Sequence, residues 1–370
     1  MSSPASRKNS GLLIAIVVVA AAIALGVVIY RGGAADNRSD GASPGALRVG
    51  GGSGSNGKLS TDAVLSIAPG TGTKQAPKRA LSPTLQEYAN AKSYGPIYQR
   101  INASTTRTPE EQWMLAQMLE RCAKSKERPR EGPRWALGGD EAKARFAASL
   151  SPKDPDREKR LAAFEQINTD LCAGVGEVEV TDAEITKLYE LGASGGDPKA
   201  RAGLVRLELQ RQSQGPDGKF RFDPTKMPTI TDTQIDTLKQ SFASGDPYAM
   251  QTAISTMGYP MQNFSLRVGP DELPVNSQAL YQAATLTACD YGYPCGAESR
   301  QLLASCAMQG QCGASDYREY VFFYGSSPSV SQQIGAYNVA LANAARTGDW
   351  SYFTINRGPP PNIAGYSTRP

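Results

Sequence analysis

The sequence of 370 residues contains no histidine. This absence excludes Ser-His-Asp and Cys-His catalysis, histidine ligands for zinc and histidine-based pH switches. The chain also lacks a P-loop, a Gly-x-Gly-x-x-Gly dinucleotide motif and a Cys-x-x-Cys motif. We therefore expect no cofactor and no bound metal, and no sequence motif marks a catalytic residue.

An excess of charge of one sign is also missing. The chain has 39 Lys and Arg residues against 35 Asp and Glu residues, a net charge of +4. This balance gives no overall attraction to nucleic acid, and no nucleic-acid partner is expected. One segment, residues 121–134 (RCAKSKERPREGPR), is locally basic. Its composition would suit a site for anionic lipid or polymer, but we interpret the segment as a solvated loop between two helices.

Two serine patterns resemble catalytic motifs. Residues 192–196 (GASGG) place Ser194 in a Gly-x-Ser-x-Gly pattern. A nucleophile elbow needs a preceding strand and a histidine base, whereas this segment follows a helical pattern, so we interpret it as a turn. Ser55 and Lys58 form a Ser-x-x-Lys pattern inside a low-complexity segment.

Paired carboxylates occur at Asp182 with Glu184 and at Asp271 with Glu272. Helix capping and solvation explain these positions. A catalytic carboxylate pair needs no fixed sequence spacing, so a carboxylate-dependent cell-wall hydrolase remains an alternative function.

One long apolar run stands near the N-terminus. Residues 11–30 (GLLIAIVVVAAAIALGVVIY) carry no charge, and a helix of this length spans about 30 Å, the thickness of the bilayer core. The run is longer than the apolar region of a typical cleaved signal peptide, which is the alternative. Arg7 and Lys8 precede it, so the positive-inside rule predicts a cytoplasmic N-terminus, residues 1–10, and an exported body. These features predict a single-pass protein of a bacterial-type inner membrane with its body in the periplasm.

Three further regions follow the predicted transmembrane helix. Residues 31–80 are rich in Gly, Ser, Ala and Pro and predict a disordered, flexible linker. Residues 81–357 predict a helical periplasmic domain, with a possible sub-boundary near residues 213–230. Residues 358–370 predict an extended, proline-rich tail.

Residue patterns typical of helix N-termini recur through the predicted helical domain. The predicted N-cap residues are Ser82, Thr108, Asp154, Thr181 and Thr231. Three of them begin capping boxes, TPEE, TDAE and TDTQ, in which a Glu or Gln follows three positions later. Apolar residues recur at helical spacing between these signals, and the one strand-like segment, GEVEV, is short. We therefore predict an all-α fold of short antiparallel helices.

Two segments share a helix, a Gly-Asp-Pro turn and a second helix. Residues 188–207 and 238–257 both follow this pattern, with Asp197 and Asp246 predicted to cap the second helices. Residues 341–353 keep the helix and the Gly-Asp turn. The pattern resembles the units of Sel1-like and tetratricopeptide-like repeat proteins. That resemblance implies a stacked helical scaffold for protein binding and no catalysis; an irregular helical domain is the alternative.

Four of the six cysteines repeat one spacing. Cys289 and Cys295 are six positions apart, as are Cys306 and Cys312. Helices are predicted at residues 277–290, 297–309 and 315–324. In successive antiparallel helices, only Cys289–Cys295 and Cys306–Cys312 join residues at the same end. Each disulfide would then close a turn between helices.

The remaining cysteines, Cys122 and Cys172, lie late in two predicted amphipathic helices. A Cys122–Cys172 disulfide leaves no unpaired cysteine, as an exported domain favours. A zinc site formed by the four clustered cysteines is the alternative. It would be unusual because five residues separate the ligands of each pair, where structural zinc prefers two to four.

Residues 280–325 are rich in aromatic side chains. They are Tyr281, Tyr291, Tyr293, Tyr317, Tyr320, Phe322, Phe323 and Tyr324. Such residues fill a small disulfide-bonded core, and they also suit a protein interface. Taken together, the sequence predicts a membrane-anchored periplasmic protein that binds an envelope protein partner or acts as a scaffold. A cell-wall hydrolase and an anionic lipid or polymer-binding module are the alternatives.

Overall fold

The computed structural model describes residues 80–125, 140–169, 171–215 and 227–358. The predicted transmembrane helix, nearly all of the predicted linker and all but the first residue of the predicted tail lie outside these ranges. Within them, no helix combines the length and the apolar character that crossing a membrane requires.

The described residues are mostly helical, which confirms the predicted fold class at that level. The helices are α1 (Pro83–Ala89), α2 (Gly95–Ala103), α3 (Pro109–Cys122), α4 (Asp140–Ser149), α5 (Arg157–Ile167), α6 (Asp182–Ser194), α7 (Pro198–Gln212), α8 (Asp232–Ala243), α9 (Pro247–Met257), α10 (Ser277–Asp290), α11 (Arg300–Gln309), α12 (Tyr317–Glu319) and α13 (Pro328–Thr347). The strands are β1 (Lys124–Ser125), β2 (Glu179–Val180), β3 (Ser265–Val268), β4 (Leu273–Pro274) and β5 (Phe353–Asn356).

Most of the predicted helix caps are present. Thr108, Thr181 and Thr231 form complete capping boxes at α3, α6 and α8, and Ser82 accepts a hydrogen bond from the backbone N–H of Leu85 at 3.0 Å. These side chains satisfy backbone donors that the first helical turn leaves without partners.

The predicted cap at Asp154 is wrong. The backbone forms a turn there, in which Arg157 N donates to Asp154 O at 3.2 Å, and α5 begins at Arg157 with Asp156 as its N-cap residue. The Asp154 carboxylate instead accepts a hydrogen bond from Arg160 Nη1 at 2.5 Å. Because both side chains are largely buried, this ion pair fixes the turn before α5.

The helices pack around two apolar cores, and α11 also packs on α5. α3 packs on α6, α6 on α7, α7 on both α8 and α9, α9 on α10, and α10 on α13. The first core is built mainly by α1–α3 and α6, and the second by α7–α10 and α13. α7 belongs to both, since Ala200 lies in the first core and Ala202 in the second.

Two small sheets correct the expectation of an entirely helical body. β1 pairs with β2 in parallel, and β3 lies between β4 and β5 in an antiparallel sheet with Arg267 opposite Thr354. The strands have two to four residues. An alternating pattern cannot be recognised in so few positions, and β5 joins β3 across a long stretch of sequence.

The end of the aromatic-rich region also departs from prediction. A single helix was expected at residues 315–324, but α12 begins at Tyr317, capped by Asp316, and continues as a π-helical turn, Tyr320–Tyr324. In this turn Gly325 N donates to Tyr320 O at 2.7 Å. A π-helical turn rotates the following side chains away from α-helical positions, and such turns occur often at functional sites.

Candidate functional site

The structure contains the two disulfides predicted from the repeated spacing and the one predicted between the two remaining cysteines. Cys122 bonds Cys172, Cys289 bonds Cys295 and Cys306 bonds Cys312, with Cα–Cα distances of 5.2, 5.7 and 4.3 Å. No free cysteine remains, so none of the six sulfurs is available as a zinc ligand.

The helices that follow Cys295 and Cys312 begin later than predicted. They were predicted from residues 297 and 315, but α11 begins at Arg300 and α12 at Tyr317. Both cysteines therefore belong to connecting segments, and each disulfide anchors a connection to the end of the preceding helix. The segment after Cys295 is held by a bridge between Gly296 and Asp316.

The other sequence-predicted positions are not brought together into one site. Ser194 lies at the end of α6, where its hydroxyl donates to Leu191 O at 3.1 Å. Asp182 and Glu184 lie in the first turn of α6. Asp271 and Glu272 are exposed beside the β3–β4 turn. Ser55, Lys58 and residues 126–134 of the basic segment lie outside the described ranges.

A buried lysine joins the two Gly-Asp-Pro turns. The Lys199 side chain, 3% exposed, places its ammonium 2.9 Å from Asp197 Oδ2, 3.0 Å from Asp246 Oδ2 and 3.3 Å from Glu110 Oε2. It also lies 5.3 Å from the centre of the Trp113 ring. We call these five residues the lysine cluster.

The two aspartates of the lysine cluster also cap helices. Asp197 Oδ1 accepts from Ala200 N at 2.9 Å, and Asp246 Oδ1 accepts from Tyr248 N and Ala249 N at 3.0 Å each. Each carboxylate thus uses one oxygen for its helix and the other for Lys199. The cluster therefore ties α3, α7 and α9 to one another through charge-assisted contacts.

Electrostatics in the lysine cluster follow from burial and mutual attraction. Burial lowers the pKa of Lys199, but its attraction to Asp246 and Asp197 outweighs burial, and the net pKa is raised. Burial also raises the pKa of Asp197, and Lys199 offsets part of that rise. Lys199 is therefore positively charged at neutral pH.

A second buried network lies between α3, α6 and α7. Tyr189, with no exposed surface, donates its hydroxyl to Glu120 Oε2 at 2.6 Å. Arg206 binds both oxygens of Glu120, at 2.8 and 2.5 Å. Burial lowers the pKa of Arg206, but the attraction to Glu120 outweighs burial and the net pKa is raised. The guanidinium therefore stays charged.

A row of aromatic rings crosses from the first core to the turn closed by Cys289–Cys295. The successive ring centroids are 5.1 Å apart from Tyr94 to Tyr88, 5.6 Å from Tyr88 to Trp113, 5.7 Å from Trp113 to Tyr248 and 4.9 Å from Tyr248 to Tyr293. Trp113 and Tyr94 are buried. Its members are joined by stacked and edge-on contacts.

Some aromatic residues of the region 280–325 remain on the surface. Tyr317 is 1% exposed and belongs to the core, whereas Phe323 is 68% and Tyr324 41% exposed. Met308, 53% exposed, lies near the end of α11. We call Met308, Tyr320, Phe323 and Tyr324 the aromatic patch.

The aromatic patch is held by covalent and polar contacts. The Cys306–Cys312 disulfide closes the turn after α11. From this turn, Gln311 Nε2 donates to Tyr324 O at 3.0 Å, and Tyr320 Oη donates to Gln309 Oε1 at 3.4 Å. The π-helical turn is thereby fixed against the end of α11, so the exposed rings lie on an ordered backbone.

Comparison of the chain with protein-family models, curated proteins and solved structures found no match. The described residues offer two kinds of candidate site, buried ionic networks and the aromatic patch. The ionic networks are buried and engaged with helix caps and neighbouring side chains. In the aromatic patch, Met308, Phe323 and Tyr324 are exposed to solvent, and Tyr320 packs partly against the second core.

Proposed function

We propose that this chain is a membrane-anchored periplasmic protein of the bacterial envelope that binds a protein partner or acts as a scaffold. The aromatic patch is the observation that supports protein binding. Large exposed aromatic and methionine side chains on a fixed backbone lose little conformational entropy when a partner covers them, and aromatic residues and Met are enriched in interfaces. The helical, disulfide-bonded body is consistent with an exported scaffold.

Site-specific photocrosslinking in the native membrane tests this function. A photoreactive residue at position 323 should form a defined crosslink to a partner, and the same residue at the exposed helix position Gln240 should not. In a second experiment the photoreactive residue is placed at position 308, the remaining exposed position of the aromatic patch. Phe323→Ala combined with Tyr324→Ala should then abolish crosslinking to the partner without changing the thermal unfolding temperature. Equal crosslinking from positions 323 and 240, or none from either, would contradict the proposal.

A reporter fusion tests the proposed topology. The proposal depends on the uncharged run at residues 11–30 and on Arg7 and Lys8 before it. An alkaline phosphatase fused after residue 80 should be active, because it folds only outside the cytoplasm. Activity of a cytoplasmic reporter at the same junction, with the phosphatase inactive, would overturn the exported topology. It would not contradict protein binding, which the crosslinking experiment tests separately.

A further inference from the structure

The Cys306–Cys312 disulfide differs from the other two disulfides in its surroundings. Cys289 and Cys295 pack against the second core, and Cys122 packs against the first. Neither Cys306 nor Cys312 is among the described residues that form or line the two cores, and both are partly exposed. Thiol–disulfide exchange requires that a thiolate reach a sulfur atom. The bond that neither core covers should therefore be reduced first.

The chain around this disulfide supports the aromatic patch. We call residues 309–313 the support segment. From it, Gln311 Nε2 donates to Tyr324 O at 3.0 Å, and Gln309 Oε1 accepts from Tyr320 Oη at 3.4 Å. Both contacts reach the π-helical turn that carries the exposed rings. The backbone of the patch therefore depends on where the support segment lies.

One backbone position of the support segment lies against a ring of the patch. A Cβ added to Gly313 would lie 2.7 Å from Tyr324 Oη and 3.3 Å from Cζ of the same ring. A side chain at this position would displace the ring. Gly313 directly follows Cys312 in the chain, so the disulfide holds this close contact in place.

Other contacts hold α11 whether the disulfide is closed or open. Arg160 of α5 donates to Ala307 O at 2.9 Å, and α5 packs along α11. Gly310 N donates to Cys306 O at 3.0 Å and closes the last turn of the helix. None of these contacts involves a sulfur atom. Opening the disulfide therefore frees the support segment beyond Gly310 while α11 keeps its position.

We propose that the Cys306–Cys312 disulfide is a redox switch that controls the aromatic patch. The closed bond holds the patch in its binding form, and a dithiol reductant opens the bond and loosens the patch. This inference rests on the proposed protein-binding function and adds its regulation.

The reaction is a thiol–disulfide exchange. A thiolate of the reductant attacks one sulfur of the bond and forms a mixed disulfide, while the other sulfur leaves as a thiolate and takes a proton from water. The second thiolate of the reductant then displaces the remaining sulfur. The protein has gained two electrons and two protons, and the dithiol has become a disulfide. Because the bond closes a separation of only six residues, its loss costs less chain entropy than that of a long loop, and the body stays folded.

Differential alkylation tests the order of reduction. The full-length protein in zwitterionic detergent micelles is treated with dithiothreitol, its free thiols are alkylated, and the modified cysteines are identified by peptide mass mapping. Cys306 and Cys312 should be modified at least about tenfold faster than the other four cysteines, because access limits the rate of exchange. Earlier opening of either other disulfide would overturn the inference.

Hydrogen exchange of residues 317–325 measures the order of the patch backbone. After selective reduction these amides should exchange at least about tenfold faster, because they open locally, while amides of α3 and α6 should not change. Cys306→Ser with Cys312→Ser should behave like the reduced protein. The matched control, Cys122→Ser with Cys172→Ser, removes a disulfide of the first core and should leave exchange in the patch unchanged. Unchanged exchange after reduction, or an equal increase in the control, would show that the bond does not control the patch.

Photocrosslinking from position 323 tests the consequence for binding. The Cys306→Ser, Cys312→Ser variant is used without reductant, because a reductant would also open disulfides of a partner. Its crosslinking yield should fall at least about fivefold, because the side chains of the loosened patch must then be ordered on binding. An unchanged yield contradicts only the redox switch. Absence of crosslinks in the wild type contradicts the proposed role of the aromatic patch, and the exchange experiment still decides whether the bond controls its order.

Discussion

Lys199 shows how one residue can join separate helical units. Its ammonium contacts Asp197, Asp246 and Glu110, which come from the caps of α7 and α9 and from the first turn of α3. The lysine is charged and almost completely buried, so the free energy of removing it from water must be offset by these partners. Removing the lysine alone leaves three carboxylates without their common counter-ion.

We predict that Lys199→Met lowers the free energy of unfolding by about 3–5 kcal/mol, the range expected when one partner of a buried ion pair is lost. Urea unfolding followed by circular dichroism measures the change. Lys187→Met is the control, because Lys187 is 67% exposed and its pair with Glu190 spans one helix turn; it should have little effect. A Lys199→Met variant as stable as the Lys187→Met variant would show that the cluster does not stabilise the fold.

The lysine cluster could be predicted only in part from the sequence. The repeated Gly-Asp-Pro signal identifies Asp197 and Asp246 as cap residues, and both caps are present. Nothing local indicates that the two caps share a lysine, because Glu110 and Lys199 are 89 positions apart.

At the scale of helices and turns, the features that could be predicted are those whose interacting residues are close together in the sequence. Capping boxes set where α3, α6 and α8 begin, because the cap and its partner are three residues apart. The short disulfides were predictable because each closes a six-residue separation. β3 and β5 were not predictable, since their pairing joins segments that the sequence separates by α10–α13.

The disulfides should differ in their contribution to stability. Replacing Cys122 and Cys172 by Ala should cost about 4 kcal/mol, and replacing Cys306 and Cys312 about 2 kcal/mol, because chain entropy rises with loop length. The sequence separations are 50 and 6. Urea unfolding of both double variants measures the order. A larger loss for Cys306–Cys312 would show that this bond contributes through the packing of the aromatic patch and not through chain entropy.

One close backbone contact sets the position of α2. Gly174 has a φ of +78°, and a Cβ added there would lie 2.9 Å from Gly95 Cα. We predict that Gly174→Ala destabilises the fold by more than about 2 kcal/mol, from left-handed strain and overlap together. Gly335→Ala is the matched control: it lies within α13 with nothing within 4 Å of the added Cβ, so better helix propensity should stabilise by about 0.5–1 kcal/mol. Thermal unfolding of the two variants should shift in opposite directions.

For the whole molecule, buried tyrosines predict a steep loss of stability in alkali. Burial raises the pKa of Tyr189, Tyr248 and Tyr317, and it raises the pKa of Tyr293 to about 12. The folded state therefore keeps protons that the unfolded state loses above a pKa of about 10. The contribution of these tyrosines to the free energy of unfolding is fully present below a pH of about 10. It falls as pH rises further, because the unfolded state then binds fewer protons than the folded state. The raised pKa of Lys199 acts in the same direction.

Tyrosinate absorbance and circular dichroism, recorded together as pH is raised, measure this behaviour. Exposed tyrosines should ionise first, near a pH of about 10, and the buried ones should ionise in a cooperative step that coincides with loss of helix. In concentrated urea the same chain should give one smooth titration, because burial is then absent. A smooth titration of all 16 tyrosines in the native protein, with the helices intact, would show that the aromatic row and both cores admit water.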